Sequence, residues 1–344
     1  MLDTALMKKL CTACGISGDE DEVRELILGE IRSYADEITV DPLGNVIVFR
    51  KGKERPARKL MLSAHMDEVG FIVTDILDNG LLKFDSVGGI NDSAAFAKQV
   101  LVGKSKLPGV ICCKPVHMLK SDEKGKSPEI SSLSIDIGAK TKDEAMKYVK
   151  YGDSIVFDSF YENKHGRLIS KAIDDRFGCL VLIEMIRSEQ TYDMYYVFCV
   201  QEEVGLRGSA AAAYTVAPDS AIVIEATTAA DIPGSENEKK VCKVGCGAVV
   251  SYMDRATIYD KEYYDLAMQT AEENKIPVQT KTVIAGGNDA GAIHRSRGGV
   301  RTIAISVPCR YLHSSSSLIS ISDAQAAADL VEKLSERIAG NMSV

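Results

Sequence analysis

Residues 194–200 form an unbroken apolar run that stops on Gln201-Glu202-Glu203. A run of Met, Tyr, Val, Phe and Cys of this length suits a strand buried on both faces, as at the centre of an α/β sheet. Two adjacent carboxylates at its end are costly unless a positive group sits beside them, because a buried, unpaired carboxylate neutralises or distorts its surroundings. The nearby sequence supplies only Arg207 as a cation. Two readings follow: the glutamates are solvated loop residues, or a metal ion lies beside them.

The same punctuation recurs along the chain. Residues 59–64 read as a strand ending in His65-Met66-Asp67-Glu68, and residues 220–224 as a strand ending on Glu225. Residues 168–173 lead into Asp174-Asp175-Arg176, and the almost wholly apolar stretch 177–186 reads as a helix packed between a sheet and other helices. Singly, each has a plain structural explanation: His65 as a core imidazole bonded to an acid, the aspartates as helix caps. Together they place His65, Asp174, Glu202, Glu203 and Glu225 at one edge of a sheet, where open α/β folds bind ligands. Asp67, two residues from His65, is placed to orient that imidazole from behind. A last strand over 300–307 leads to Pro308-Cys309-Arg310-Tyr311-Leu312-His313.

Between 69 and 167 helical periodicity nearly vanishes, and short apolar runs alternate with Gly, Pro, Asn and Asp. The expected architecture is therefore an α/β domain over 1–68 and 168–344, with a small β-rich domain inserted over 69–167. Within the insert only 141–149 reads as a helix, and the charged, Pro-bearing stretch 114–130 reads as a mobile loop. His117 and His165 sit in turn-like surroundings and are expected at the surface; His294 is expected on a helix flank in a structural role. Ser17-Gly18-Asp19-Glu20 and Ser322-Asp323-Ala324-Gln325 are spaced as capping boxes, and Ser314 to Ser317 read as a flexible run.

Composition excludes some partners. With 41 basic against 49 acidic residues the net charge is −8, which argues against nucleic acid. No window approaches the 18 apolar residues of a membrane span, and the first residues lack the pattern of a signal peptide. Nine scattered cysteines, an odd number, suit a reducing cytoplasm. Cys11-Thr12-Ala13-Cys14 has zinc-type spacing but no second pair, and Cys242 and Cys246 lie elsewhere; all nine read as mostly buried small hydrophobes.

Two imidazoles and three carboxylates suit two divalent ions sharing one carboxylate, and mixed N/O donors favour zinc, cobalt or manganese over calcium. A further carboxylate beside them serves as base toward a water bridging two metals roughly 3.5–4 Å apart. Adjacent glutamates suit a glycosidase poorly, since its two carboxylates flank the sugar about 5 to 9 Å apart.

The stretches Ser63-Ala64-His65-Met66-Asp67-Glu68-Val69-Gly70, Lys171-Ala172-Ile173-Asp174-Asp175-Arg176 and Gln201-Glu202-Glu203-Val204-Gly205-Leu206-Arg207-Gly208 resemble the M42 family of metallo-aminopeptidases, which includes the tetrahedral TET peptidases. Asp41-Pro42-Leu43-Gly44-Asn45 and Pro308-Cys309-Arg310-Tyr311-Leu312-His313-Ser314 match as well. The resemblance implies a dinuclear zinc-peptidase fold, with His65 and Glu225 on one metal, Glu203 and His313 on the other, and Asp174 bridging. It implies Glu202 as general base and Asp67 behind His65. It further implies an aminopeptidase acting on short peptides, with the insert supporting dimers that assemble into a hollow dodecamer. Two positions depart from the family pattern: Glu225 stands where Asp is usual, and Ser314-Ser315-Ser316-Ser317 stands where a Pro and an acid commonly follow the last His. Competing expectations are a metal-dependent deacylase or carboxypeptidase on the same scaffold, and a glycosidase.

Overall fold

The computed structural model describes residues 2–118 and 128–341. The chain opens with helices α1 (Thr4–Thr12) and α2 (Asp21–Ile31), then strands β1 (Glu37–Val40), β2 (Val46–Arg50) and β3 (Leu60–His65). Every residue of β3 is buried, which explains why its sequence is apolar without alternation.

The texture change after Val69 marks a closed barrel. Its strands are β4 (Gly70–Ile76), β5 (Leu82–Val87), β6 (Gln99–Val102), β7 (Leu107–Cys112), β8 (Ser134–Asp136) and β9 (Ser154–Phe157), in the order β4-β5-β8-β7-β6-β9. Alternate residues of β6 and β7 point inward, as the period of two requires. Phe71 anchors the barrel's own core, meeting Phe84 and Phe157 edge-on with ring centroids 5.1 and 5.3 Å away. The helices here are short: α3 (Asp92–Ala95) and α4 (Lys142–Ala145). The expectation of a helix over 141–149 shrinks to α4, capped by Thr141 Oγ1 accepting from Glu144 N–H. Of the expected mobile loop 114–130, residues 119–127 lie outside the described residues, and its ends form single turns at Val116–Met118 and Ile130–Ser132.

After the barrel the chain returns to the first sheet with β10 (Glu162–Lys164), β11 (Arg167–Ser170), α5 (Ile173–Arg187), β12 (Met194–Cys199), α6 (Arg207–Val216) and β13 (Ser220–Thr228). It closes with β14 (Ala248–Val250), α7 (Lys261–Glu273), β15 (Val278–Thr280), α8 (Ala290–Ile293), β16 (Arg301–Arg310), β17 (Ser317–Ser320) and α9 (Ile321–Ala339). Among the described residues this sheet has 11 strands in the order β1-β2-β12-β3-β13-β16-β17-β11-β10, with β14 and β15 branching from β16. Its centre, β12-β3-β13-β16, is parallel and its flanks antiparallel. The fold class is the mixed α/β one expected. Helix α5, apolar nearly all round, packs on β3 and β13, as a helix buried between layers must.

Several local expectations are corrected. Neither capping box forms. Glu20 rather than Ser17 precedes α2, and the Ser17 hydroxyl leaves the backbone for the Asp67 carboxylate. Ser320 precedes α9, and Asp323 is buried, accepting from Gly245 and Gly247 N–H groups. Glu225 does not end its strand, because β13 continues to Thr228; its pairing with β3 stops at Val223 opposite Ser63, two residues before Glu225. The last strand reaches Arg310, whose guanidinium is held by Asp231 at 2.6 Å. The serine run is tied down: Ser314 and Ser317 hydroxyls both donate to Tyr311 O. All nine cysteines are free, and Cys246 is exposed rather than buried. His117 and His165 lie at the surface as expected, and His294 caps α8 with Nδ1 2.7 Å from Ala290 O.

Candidate metal centre

The carboxyl ends of the central strands converge on one cleft of about 430 Å³, lined by His65, Asp174, Glu202, Glu203, Glu225 and His313 among others. His65 pairs in register with Cys199, the last residue of β12, so the Glu202-Glu203 loop leaves the sheet beside it. Gln201 takes a left-handed φ of 56° there, and Ala172 a φ of 53° before Asp174, turns that swing the following acids off their elements. The Asp174–Asp175 peptide is cis.

His65 is 1% exposed. Its Nδ1 lies 3.0 Å from Asp67 O and 3.4 Å from Asp67 Oδ1. A proton held there leaves the Nε2 lone pair facing Asp174 Oδ1 at 3.3 Å and Glu225 Oε2 at 3.8 Å. On the other side His313 Nε2 faces Glu203 Oε2 at 3.3 Å and Asp174 Oδ2 at 3.6 Å, while its Nδ1 lies 2.9 Å from Gly89 O. Asp67 does more than back His65. Its carboxylate accepts from the N–H groups of Glu202 (3.0 Å) and Glu203 (3.1 Å) and from Ser17 Oγ (2.6 Å).

Three groups of potential ligand atoms result: His65–Asp174–Glu225, Asp174–Glu203–His313 and His65–Glu202–Glu203, each with its atoms within 4.8 Å of one another. The first two share Asp174. Asp174 Oδ1 and Glu225 Oε1 are buried with no hydrogen-bond partner among the described residues, and orphaned carboxylate oxygens on a mixed N/O donor set fit a divalent cation. The electrostatics agree. Burial pushes Glu202 well above the usual carboxylate range; His65 opposes this and Asp289, Glu203 and Asp174 add to it. Burial also raises Glu225, helped by Asp175, and Glu203 is pushed up to about 7. For Asp174 burial is outweighed by His313 and His65, which hold it well below the ordinary value. Burial likewise works against His313, yet Asp174 and Glu203 draw it up to about 9. The cleft is short of positive charge.

A second buried network fixes the frame. Lys171 Nζ donates to both oxygens of Glu68 (2.6 and 2.8 Å) and to Ala13 O, and the wholly buried Arg176 donates to Met66 O, Leu10 O, Gly15 O and Glu68. It clamps the end of β3 and the start of α5 against the N-terminal helices.

All seven residues singled out from the sequence thus meet at one place. Others were missed. Ser17 was read as a cap. Asp289, 1% exposed with both carboxylate oxygens unpartnered among the described residues and pushed up to about 6 by burial, acts on Glu202. Gly286-Gly287-Asn288-Asp289 reads as a turn before a helix, and no spacing connects it to residue 202. Lys281 also lines the cleft.

A mixed α/β fold with paired His–carboxylate groups at the carboxyl ends of its parallel strands defines a class of hydrolase built to hold metal ions. The chain belongs to the M42 glutamyl aminopeptidase family, whose profile matches residues 44–330. That family is metal-dependent and consists of peptide hydrolases. A protein of Acetivibrio thermocellus, named provisionally as an aminopeptidase, is 40% identical over 328 residues, covering 95% of this chain and 96% of its own. The TET aminopeptidase of the marine sediment archaeon Thaumarchaeota archaeon SCGC AB-539-E09 superposes with a TM-score of 0.93 at 37% identity, covering 97% and 96% of the two chains. The Pyrococcus horikoshii TET1 peptidase, described as assembling into a tetrahedron or a large octahedral shell, gives 0.85 at 34% identity over 96% and 98%.

Proposed function

We propose that this chain is a metal-dependent aminopeptidase that removes N-terminal residues from short peptides. The observation that carries the reading is the pair of donor groups sharing Asp174. On this reading His65 and Glu225 would hold one divalent ion, Glu203 and His313 a second, and Asp174 would serve both; zinc or cobalt suits these donors best, with manganese acceptable. Bound there, the ions supply Lewis-acid polarisation of the scissile carbonyl and make a water acidic at neutral pH. The remaining work belongs to the chain. Glu202, held beside the ligands by Asp67, takes the proton of the attacking water and returns it to the departing amine. Its raised proton affinity suits both halves of that task. Asp67 keeps the His65 proton on Nδ1 and the Glu202 backbone in place. The acidic lining attracts the ammonium of a free peptide N-terminus.

The 69–167 segment is, on this reading, the surface through which subunits associate into dimers and larger homo-oligomers. Met146, Tyr148 and Tyr151 there are exposed at 48%, 62% and 52%, and assembly of the TET1 relative supports it. Nine free thiols support a cytoplasmic site of action, and no helix among the described residues is long and apolar enough to cross a membrane.

The test is hydrolysis of free-amine and N-acetylated aminoacyl p-nitroanilides before and after chelation. Free-amine substrates alone should be cleaved, chelation should abolish it, and added zinc or cobalt should restore it. Cleavage of only the blocked substrates would make the protein a deacylase; polysaccharide hydrolysis that survives EDTA would make it a glycosidase.

A further inference from the structure

The tetrapeptide Ser17-Gly18-Asp19-Glu20 has the spacing of a capping box, yet neither of its end side chains caps α2. They serve the loop that carries Glu202 and Glu203. Three consecutive N–H groups of that loop donate to carboxylates from elsewhere in the chain: Gln201 to Glu20 Oε1 at 3.2 Å, Glu202 to Asp67 Oδ1 at 3.0 Å and Glu203 to Asp67 Oδ2 at 3.1 Å. The Ser17 hydroxyl donates to the same Asp67 Oδ2 at 2.6 Å, and Glu20 Oε1 also accepts from Gly18 N–H at 2.7 Å. Glu20 is 3% exposed and Asp67 is fully buried. Both therefore accept where water does not compete and where an unmade bond costs most. Gln201 needs such a hold. Its φ of 56° is a left-handed conformation that a residue with a Cβ keeps only where its surroundings impose it.

The segment is itself anchored at both ends. Gly15 O accepts from Glu68 N–H at 2.9 Å just past β3, and Asp19 Oδ2 accepts from Ser154 Oγ of barrel strand β9 at 2.6 Å. Residues 15–20 form a strap, tied to β3 on one side and to the barrel on the other.

We propose that Ser17 and Glu20 are positioning residues for the general base: through Asp67 and the Gln201 turn they set the direction in which the Glu202 carboxylate leaves its loop. The inference rests on the role given to Glu202 above. Neither residue lines the cleft or belongs to a donor group, so neither acts on substrate or metal directly. What they fix is backbone. An error in direction at residue 201 is carried outward along the Glu202 side chain, and a misplacement of about 1 Å at a reacting group costs on the order of 10²-fold in rate. The two contacts ask for different chemistry. Glu20 has to supply an acceptor at Oε1, and Ser17 has to supply a hydroxyl donor.

The metal-loaded protein is assayed on free-amine aminoacyl p-nitroanilides as four variants: Ser17→Ala, Ser17→Thr, Glu20→Met and Glu20→Gln. Each is made in the wild-type and in the Glu202→Gln background. Turnover is taken per metal-loaded subunit, so protein lost to misfolding cancels. Ser17→Ala and Glu20→Met should each lower kcat by about 10-fold or more, with KM and bound metal unchanged. Ser17→Thr, which keeps the hydroxyl, and Glu20→Gln, which keeps the acceptor, should recover most of the loss. In the Glu202→Gln background the same substitutions should cost less than about twofold, because the group they aim is already gone. An equal loss in both backgrounds overturns the proposal, since a merely structural defect lowers both alike. So does a kcat unmoved by Ser17→Ala and Glu20→Met, or a loss that Thr and Gln do not recover. If Glu202→Gln itself turns over normally, or no free-amine substrate is cleaved, the reading beneath the proposal falls, a different result from an active base indifferent to its strap.

Discussion

Glu202 and Glu203 share a chemistry and a loop, but their surroundings differ: Glu203 Oε2 faces His313, while Glu202 groups with His65 and feels the field of the buried Asp289. The two roles proposed for them are separable. Glu202→Gln should retain both metal equivalents by elemental analysis and lose about 10²–10⁴-fold in kcat; a variant that turns over normally would remove the base from Glu202. Asp67→Ala should act on metal rather than on chemistry, weakening affinity about 10–100-fold in a chelator competition, because His65 keeps the main-chain oxygen of residue 67 but loses the carboxylate behind it, and the Glu202 and Glu203 N–H groups lose their acceptor. These residues were legible because each sits where an apolar run stops, and a lone acid there needs a reason. Asp289 and Lys281 were not. They arrive from turns and a short branch of the sheet, brought in by tertiary packing that leaves no periodicity in the sequence.

At the scale of elements, the strands and long helices followed from hydrophobic pattern, whereas their ends did not. Ser17 has the composition of a cap, but its hydroxyl donates to the buried Asp67 carboxylate instead of accepting from the N–H groups at the start of the helix. Glu225 shows the converse: a carboxylate within a buried strand stands just past the last residue paired with β3 and faces the His65 imidazole at 3.8 Å. One cap that does form gives a pH test. Asp260 caps α7 through Tyr263 N–H and is gripped by Arg301 at 2.6 and 2.8 Å. Burial raises its pKa, but Arg301 and the cap bond outweigh that and the value is lowered. Its contribution is therefore complete above the unfolded value of about 3.9 and lost as pH falls through the lower folded one. Asp260→Asn should cost about 1 kcal/mol in urea unfolding at pH 7, and the gap to wild type should close as the acid limb is descended. A gap that stays the same size down the acid limb would remove the ion pair as its cause.

At the scale of the molecule, the barrel carries exposed Met146, Tyr148 and Tyr151 on a protein of net charge −8. Carboxylates introduced at these positions would be buried and unpaired in the subunit contact proposed above. Tyr148→Asp with Tyr151→Asp should lower the solution mass measured by light scattering while leaving thermal unfolding of the subunit nearly unchanged; an unaltered mass would move the contact elsewhere. That a β-rich unit follows Val69 was legible from the loss of helical period. Its closure into a barrel was not, since which short strands pair is decided by contacts distant in sequence.

Gly88 and Gly89 follow the barrel strand β5. Gly88 adopts a φ of +85°, and a Cβ there would stand 2.8 Å from Val69 Cγ1 and 3.3 Å from Glu203 Cβ; Gly89 O meets the His313 ring. The end of barrel strand β5 thus supplies part of the wall of the cleft. Anyone grafting a foreign barrel onto this sheet, or paring the chain down to a minimal hydrolase, must carry this diglycine across the splice. Without it the His313 ring loses the carbonyl that holds its Nδ1, and the cleft loses one of its two imidazoles from its place.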